Sequence, residues 1–454
     1  MAIETINPAT EELVKKFTPT SDKEVKIIID QVDEEFQLWK NKTYAERKVL
    51  MLKTAEVLRS EKQHYAEILT LEMGKPIKQA IAEVEKCAWA CEYYAENTES
   101  ILEKEFIETD ASESYVQFDP IGIVLAVMPW NFPYWQVFRF AAPALMAGNA
   151  GILKHASNVP MSALAIEEIF LKAGFPKNIF RTLLIESKQV DAVIENSKVK
   201  ASTLTGSEYA GSMVASKSGK MLKKSVMELG GSDPFIILAD ANLKEAVNTA
   251  VTARLLNNGQ SCIAAKRFIV VEEIAQKFEE MFKARMEKTI VGDPMQEETE
   301  LGPIAREDLL IELHEQITKS VEAGAKILTG GKRLERKGYY YAPTIISDVK
   351  KGMVAYEQEF FGPAATVIKV KDEEEAIFVA NDTEFGLGAS LWTSELEKAK
   401  SLAKQIDSGS VFINGMVKSD PRLPFGGIKL SGFGRELSQY GIKEFVNIKT
   451  VWVK

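Results

Sequence analysis

IGIVLAVMPWNFPYWQVFRFAAPALMAGNAGILKH, residues 121–155, is the stretch whose reading decides the fold. A short run rich in β-branched residues, IGIVLAVM, passes through a Pro-containing loop into the apolar helical stretch FRFAAPALMAG and returns to a second apolar run, AGILK. Such continuous apolar runs alternating with helices indicate βαβ units around a parallel sheet. The pattern continues downstream through the helical SALAIEEIFLKAG and the runs IFRTLLI and KASTLTG, a nucleotide-binding type of layout. From PFIIL at residue 234 a second alternating series runs through FIVVEE, AATVIKV, GASLWT and GSVFING, so a second α/β domain is expected. Upstream, the first hundred or so residues read as helices. SDKEVKIIIDQVDEEFQLW carries Ser21 as N-cap with Glu24 completing a capping box, and YAERKVLMLKTAEVLRSEKQ keeps the helical period. SYVQFDPIGIV, around residue 115, and the C-terminal NIKTVWV alternate polar with apolar residues; both are expected as exposed strands able to pair with another subunit.

A chain of 454 residues exceeds the size at which one hydrophobic core keeps growing, so two or more domains are expected. Its composition, 46% hydrophobic and 27% charged, is that of a soluble globular protein. The formal net charge of -9 supplies no overall attraction to phosphate backbones or anionic lipid, so neither nucleic acid nor a membrane is an expected partner. No stretch of about 18 apolar residues occurs, and the first residues lack a basic and an apolar targeting region, which reads as cytoplasmic. Of three cysteines, Cys87 and Cys91 lie four apart in the helical-looking EVEKCAWACEYYAEN and read as buried core thiols; no disulfide framework and no metal site are indicated.

Cys262 differs. It lies in NNGQSCIAAKR, a polar, Gly-containing loop where a thiol can be accessible and ionisable. A histidine is the usual base for such a thiol, but His64, His155 and His314 stand in no catalytic motif, which weakens a Cys-His hydrolase reading. A carboxylate remains: Glu228, in VMELGGSDP, ends an apolar strand-like run ahead of two glycines, where partial desolvation would raise its pKa toward that of a general base. In MPWNFPYW, Pro129 and Pro133 stiffen the loop around Asn131, whose amide could donate to a developing oxyanion. TLTGSEYAGSMV sets Gly206 and Ser207 between a strand and a helix, with the helix N-terminus free to face a pyrophosphate, and Lys154 follows another strand within reach of ribose or phosphate. A GxGxxG fingerprint and a Walker A lysine are absent.

Taken in order, PWNFP (129–133), TGS (205–207), MELGG (227–231), GQSC (259–262), EQEFFGP (357–363) and PFGGIKLSGFGRE (424–436) make the chain resemble the aldehyde dehydrogenase superfamily over essentially its whole length. Glu228 and Cys262 stand 34 positions apart, the separation expected in that family. The resemblance implies an α/β fold with a variant Rossmann cofactor domain at 1–107 and 122–228 and a catalytic α/β domain at 229–425. It also implies a small β oligomerisation element at 108–121 and 434–454, making a homodimer or homotetramer. Cys262 is then the nucleophile, Asn131 the oxyanion donor and Glu228 the base. Pro129, Trp130, Lys154, Ser157, Gly206, Ser207, Leu229, Glu359 and Phe361 match cofactor-binding positions. NAD-preferring members often carry a glutamate where this chain has Ser157, and a serine admits a 2′-phosphate, so both NAD and NADP stay open. Arg139, two helical turns beyond Asn131, matches an arginine of family members resembling succinate semialdehyde dehydrogenases, where it would hold the distal carboxylate. Ser419 lies in the loop that would add a second contact. The arginine that some of these enzymes carry six residues before the nucleophile is Leu256 here. Succinate semialdehyde is therefore the expected substrate, with lactaldehyde, glycolaldehyde or glyceraldehyde 3-phosphate as the alternative. A non-catalytic protein that merely keeps this fold would not need Cys262, Glu228 and Asn131 together.

Overall fold

Residues 3–454 are described by a computed structural model. The strand Ile123–Met128 is central in a six-stranded sheet, with Ala150–His155 parallel to it on one side and Val199–Thr205 on the other. Phe180–Thr182 lies outside the first neighbour and Lys224–Glu228 outside the second, both parallel, and Gly432–Phe433 closes that edge antiparallel. The order of the parallel strands therefore reverses at Ile123–Met128, which makes the space between it and Val199–Thr205 a topological switch point, where ligands bind beyond the carboxyl ends of the strands. PWNFP and TGS are the loops that leave those two ends.

The second sheet has seven strands in the order Lys326–Thr329, Thr344–Ser347, Ala364–Val370, Arg267–Val271, Pro234–Ile237, Gly388–Trp392 and Ser410–Ile413, all parallel except the first pair. Its five inner strands are buried on both faces, each face under its own apolar cluster, which is why they read as unbroken apolar runs rather than alternating ones. A third sheet pairs Val446–Val453 with Glu113–Pro120 over eight residues, and adds Glu105–Phe106, which the sequence reading had placed with the cofactor domain. The two alternating segments thus pair with each other, and Ile448, Trp452 and Val453 remain exposed on the outer strand.

Helices fill the first hundred residues, but not from the start. Glu4–Asn7 and Glu12–Lys16 form a hairpin ahead of the first helix, Asp22–Trp39. The second of these strands is exposed throughout, so no local periodicity marks it. Docking orders it: Glu4 N–H donates to the Ser157 carbonyl at 3.1 Å and Thr5 Oγ1 to Glu72 at 2.7 Å. The expected capping box is present in both directions between Ser21 and Glu24. The 25-residue helix Ile77–Ile101 packs over the first domain with Cys87 and Cys91 fully buried, and all three cysteines are free. Among the described residues no helix is long and apolar enough to cross a membrane.

Candidate active site

Cys262 follows the helix Leu243–Leu255 and precedes the strand Arg267–Val271. The turn between them is unusual: Asn257, Asn258 and Gly259 all have positive φ, 57°, 58° and 73°. Asparagine and glycine are the residues that tolerate this left-handed region, which persists only where the surroundings fix it. Here they do. Asn258 Nδ2 donates to the carbonyls of Gly74 and Pro303, its Oδ1 accepts from Gly302 N–H, and Asn257 Nδ2 donates to the carbonyls of Asn131 and Gln260. Lys266, almost wholly buried, donates to the carbonyls of Ser261 at 2.9 Å and Cys262 at 2.6 Å and forms an ion pair with Glu359 at 2.8 Å. The nucleophile loop is thereby locked to the PWNFP loop on one side and to the EQEFFGP segment on the other.

Asn131 is 4% exposed. Gln136, in the first turn of the helix Trp135–Met146, donates to Asn131 Oδ1 at 3.0 Å, which fixes the amide so that Nδ2 faces the nucleophile loop and donates to the Gln260 carbonyl at 3.1 Å. One Nδ2 hydrogen is left, and the Cys262 backbone N–H donates to no described residue. Asn131 and Cys262 line the same cavity, so both donors are on hand where an oxyanion would need them. His155 contributes by holding this loop: with Nδ1 accepting from Ala156 N–H, Nε2 donates to the Pro133 carbonyl at 2.9 Å, and burial pushes its pKa down to about 4, so it stays neutral.

Two cavities meet at Cys262. One, about 160 Å³, is walled by Phe132, Trp135 and Val417 and carries Arg139, Lys86 and Ser419. The other, about 200 Å³, lies at the switch point and is lined by Pro129, Trp130, Gly206, Ser207, Leu229, Glu359 and Phe361. Cys262 lines both, half-buried. Its thiol is pushed up to about 12, chiefly by burial, with Lys266 and Arg139 pulling the other way. The polar loop therefore does not deliver a pre-ionised thiolate, contrary to the sequence expectation, because the polar side chains there are spent on backbone partners and the thiol sits among apolar walls.

Glu228 ends the strand Lys224–Glu228 and is 2% exposed. Its carboxyl lies against Gly426 and in the field of Glu436, Arg139 and Arg435, with no hydrogen-bond partner for either oxygen, and it lines neither cavity. Burial raises its pKa well above the usual carboxylate range, and the Glu436 charge raises it further. Glu436 is raised as well, by burial, while Arg139 draws it down. The two carboxyls lie in the field of one cation, Arg139, and both are raised. The glycines after Glu228 are needed for close approach: a Cβ on Gly230 would stand 2.0 Å from Glu208 Oε1 and 2.7 Å from Glu359 Oε2, and one on Gly231 would stand 2.8 Å from the Cys262 carbonyl.

Arg139 reaches the first cavity but is not free. It is 3% exposed, its Nε faces Glu436 in a buried ion pair, Nη2 donates to Thr205 Oγ1 at 3.0 Å, and the guanidinium lies 4.7 Å above the Phe425 ring. Ser419 lies in the same cavity, as expected.

The residues of the second cavity suit a nicotinamide dinucleotide. Ser207 caps the 13-residue helix Glu208–Lys220, presenting its N-terminus to the cavity, where a pyrophosphate is favoured. Phe361 meets Trp130 edge-on at 5.8 Å. Lys154, 8% exposed, has no partner among the described residues, an uncompensated buried cation awaiting an anion or hydroxyl. Ser157 lies apart from the switch-point cavity, in a separate one of about 270 Å³ with Asn158, Arg306 and Tyr339; both side-chain polar atoms of Asn158 are buried and have no partner among the described residues.

Sequence reading missed Gln136, Lys266, Glu436, Lys86 and Arg306. Glu436 was within a quoted motif, PFGGIKLSGFGRE, and a buried acid at the end of a glycine-rich segment is a signal. Gln136, Lys266 and Lys86 look like ordinary helix or loop polar residues until the fold brings them to Cys262 and Asn131, and Arg306 until it lines the separate cavity with Ser157.

The chain matches the model of the aldehyde dehydrogenase family over residues 1–451. It is 52% identical to a probable succinate-semialdehyde dehydrogenase [NADP(+)] of Synechocystis sp., and 49% identical to succinate-semialdehyde dehydrogenase [NADP(+)] 1 of Mycobacterium tuberculosis; both alignments cover 100% of each chain. The crystal structure of a succinic semialdehyde dehydrogenase from Streptococcus pyogenes in complex with NADP+ superposes with a TM-score of 0.97 at 39% identity, covering 99% of each chain.

Proposed function

Since the chain belongs to the aldehyde dehydrogenase family, we propose that it oxidises succinate semialdehyde to succinate with NADP+ as the hydride acceptor. One observation carries the reading: Cys262 forms the wall between a small cavity with cationic side chains and a second cavity lined by the cofactor-type residues. Cys262 Sγ attacks the aldehyde carbon and gives a thiohemiacetal, whose oxyanion receives the free Nδ2 hydrogen of Asn131 and the Cys262 backbone N–H. With the thiol pushed up to about 12, its proton leaves as the C–S bond forms; Glu228, turned toward the thiol, takes it and passes it to solvent before the later step. A nicotinamide held in the second cavity would supply the hydride acceptor for that carbon, and Cys262 would then carry the acyl group as a thioester. Glu228, turned from its place beside Glu436, then draws a proton from the attacking water; its raised pKa suits it to that task.

Pro129, Trp130, Lys154, Ser157, Gly206, Ser207, Leu229, Glu359 and Phe361 are proposed to hold the cofactor. NADP+ is favoured over NAD+ because Ser157 places no carboxylate where a 2′-phosphate would lie, and the relatives carry NADP(+) in their names. A short dicarboxylate semialdehyde fits the first cavity: about 160 Å³ is well below the roughly 300–1,000 Å³ of pockets that hold drug-sized ligands. Ser419 and the remaining edge of Arg139 are proposed to face its distal carboxylate. The exposed outer strand Val446–Val453 is proposed as the edge through which two copies pair. Three free cysteines and a formal net charge of -9 are in keeping with the cytoplasmic enzyme proposed here.

The test is an aldehyde panel (succinate semialdehyde, butanal, lactaldehyde, glycolaldehyde and glyceraldehyde 3-phosphate) run with NAD+ and with NADP+. Highest kcat/KM for succinate semialdehyde with NADP+ is expected; a preference for an aldehyde without the distal carboxylate would overturn the substrate assignment.

A further inference from the structure

We infer that Lys86 is the counter-ion for the substrate's distal carboxylate, forming with Ser419 and Trp135 an anion site that takes over the role of the second arginine replaced here by Leu256. The inference rests on the reading of the substrate as a semialdehyde with a carboxylate. Lys86 projects from the helix Ile77–Ile101 into the wall of the cavity that holds Cys262, and Leu256 lines the same cavity. Its Nζ donates to Ser419 Oγ at 2.7 Å and lies 4.3 Å from the Trp135 ring. Trp135 Nε1 donates to the same Ser419 Oγ at 3.1 Å. With two donors on its oxygen, the Ser419 hydroxyl has its hydrogen left to give, and the ammonium has two more. The cluster is therefore composed of donors in search of an acceptor, at a place the substrate must occupy.

No carboxylate of the protein fills that role. Glu83, one turn before Lys86, is committed to a buried ion pair with Lys75 and to the backbone N–H groups of Tyr134 and Trp135, both at 3.0 Å. Asp420, next to Ser419, is held by Arg422 through both carboxylate oxygens. Arg139, a second cation in the cavity, is neutralised by Glu436. Among the described residues Lys86 and Lys418 line this cavity without an ion-pair partner; Lys418 is exposed, whereas Lys86 is held on Ser419 and Trp135, and burial draws its pKa down to about 8. A carboxylate bound there would accept charge-assisted hydrogen bonds from Lys86 and a neutral one from Ser419.

The experiment is steady-state kinetics of Lys86→Met and Lys86→Arg on succinate semialdehyde and on butanal, which lacks the carboxylate, with saturating NADP+. The ratio of kcat/KM for the two aldehydes should fall about 10- to 100-fold in Lys86→Met, through KM, and be largely restored in Lys86→Arg. An unchanged ratio, or equal losses on both aldehydes, would overturn the assignment and leave Lys86 a packing residue on Trp135. Should Lys86→Met not fold, Lys86→Gln keeps a donor for Ser419 without the charge and gives the same test. A wild-type enzyme that does not favour succinate semialdehyde over butanal would instead refute the substrate reading beneath it.

Discussion

Replacing Arg139 by leucine separates its two possible duties. The guanidinium is the cation between Glu436 and Glu228, and both carboxyls are almost wholly buried. Removing one partner of a buried ion pair costs about 3–5 kcal/mol, because a charge is left without compensation. Spread over 454 residues, an unfolding entropy of about 2.1 cal/mol/K per residue is roughly 1 kcal/mol/K, so the midpoint of thermal unfolding should fall by about 3–5 °C at pH 8. The loss must depend on pH with a defined sign. Glu436 and Glu228 have pKa values raised in the folded state, so the stability linked to them is present at low pH and lost as pH rises through the folded values. Arg139 counters that loss in the wild type; without it the carboxyls hold their protons to higher pH. The deficit of Arg139→Leu relative to wild type should therefore shrink as pH falls, by up to about 1.4 kcal/mol per pH unit for each extra proton bound. Differential scanning calorimetry of both proteins from pH 5.5 to 8.5 reads it directly. A deficit constant across that range, or no deficit, would refute the view that Arg139 serves chiefly to neutralise the buried carboxyls.

Asn131→Ala should lower kcat about 10²- to 10³-fold while leaving NADP+ binding, followed by fluorescence titration, within a few-fold of wild type; loss of both together would mean that Asn131 only shapes the loop. Because the Cys262 thiol is pushed up to about 12, its alkylation by iodoacetamide in the absence of cofactor should accelerate about tenfold per pH unit from pH 6 to 9. A plateau below pH 8 would show a thiolate already formed. Trp452→Asp combined with Ile448→Asp places charge on the exposed outer strand and should lower the mass found by sedimentation equilibrium to that of smaller assemblies; an unchanged mass would rule this edge out as the subunit contact.

Features set by neighbours in the chain were legible in the sequence. The Ser21–Glu24 capping box depends on residues three apart, and Glu228 at a strand end, Ser207 at a helix start and Cys262 in a turn follow from local pattern. The burial of Cys87 and Cys91 follows from helical spacing in the same way. What was not legible depends on contacts across the chain. The N-terminal hairpin is ordered by Ser157 and Glu72, so its exposed second strand carries no apolar signal. Lys86 and Ser419 are 333 positions apart, and the partnership of Arg139 with Glu436 spans nearly 300, so neither the anion site nor the neutralised arginine can be read from spacing. The Cys262 pKa belongs to the same class, since the walls that desolvate it come from three separate segments.

In the proposed reaction Cys262 carries the acyl group and Glu228 releases it. Glu228→Gln, mixed with succinate semialdehyde and NADP+, quenched in acid within the first turnover and digested for mass spectrometry, tests both parts at once. A burst of about one NADPH per active site is expected, with a succinyl group on the peptide containing Cys262. Steady turnover without an adduct, or a succinyl group on any other residue, would contradict it.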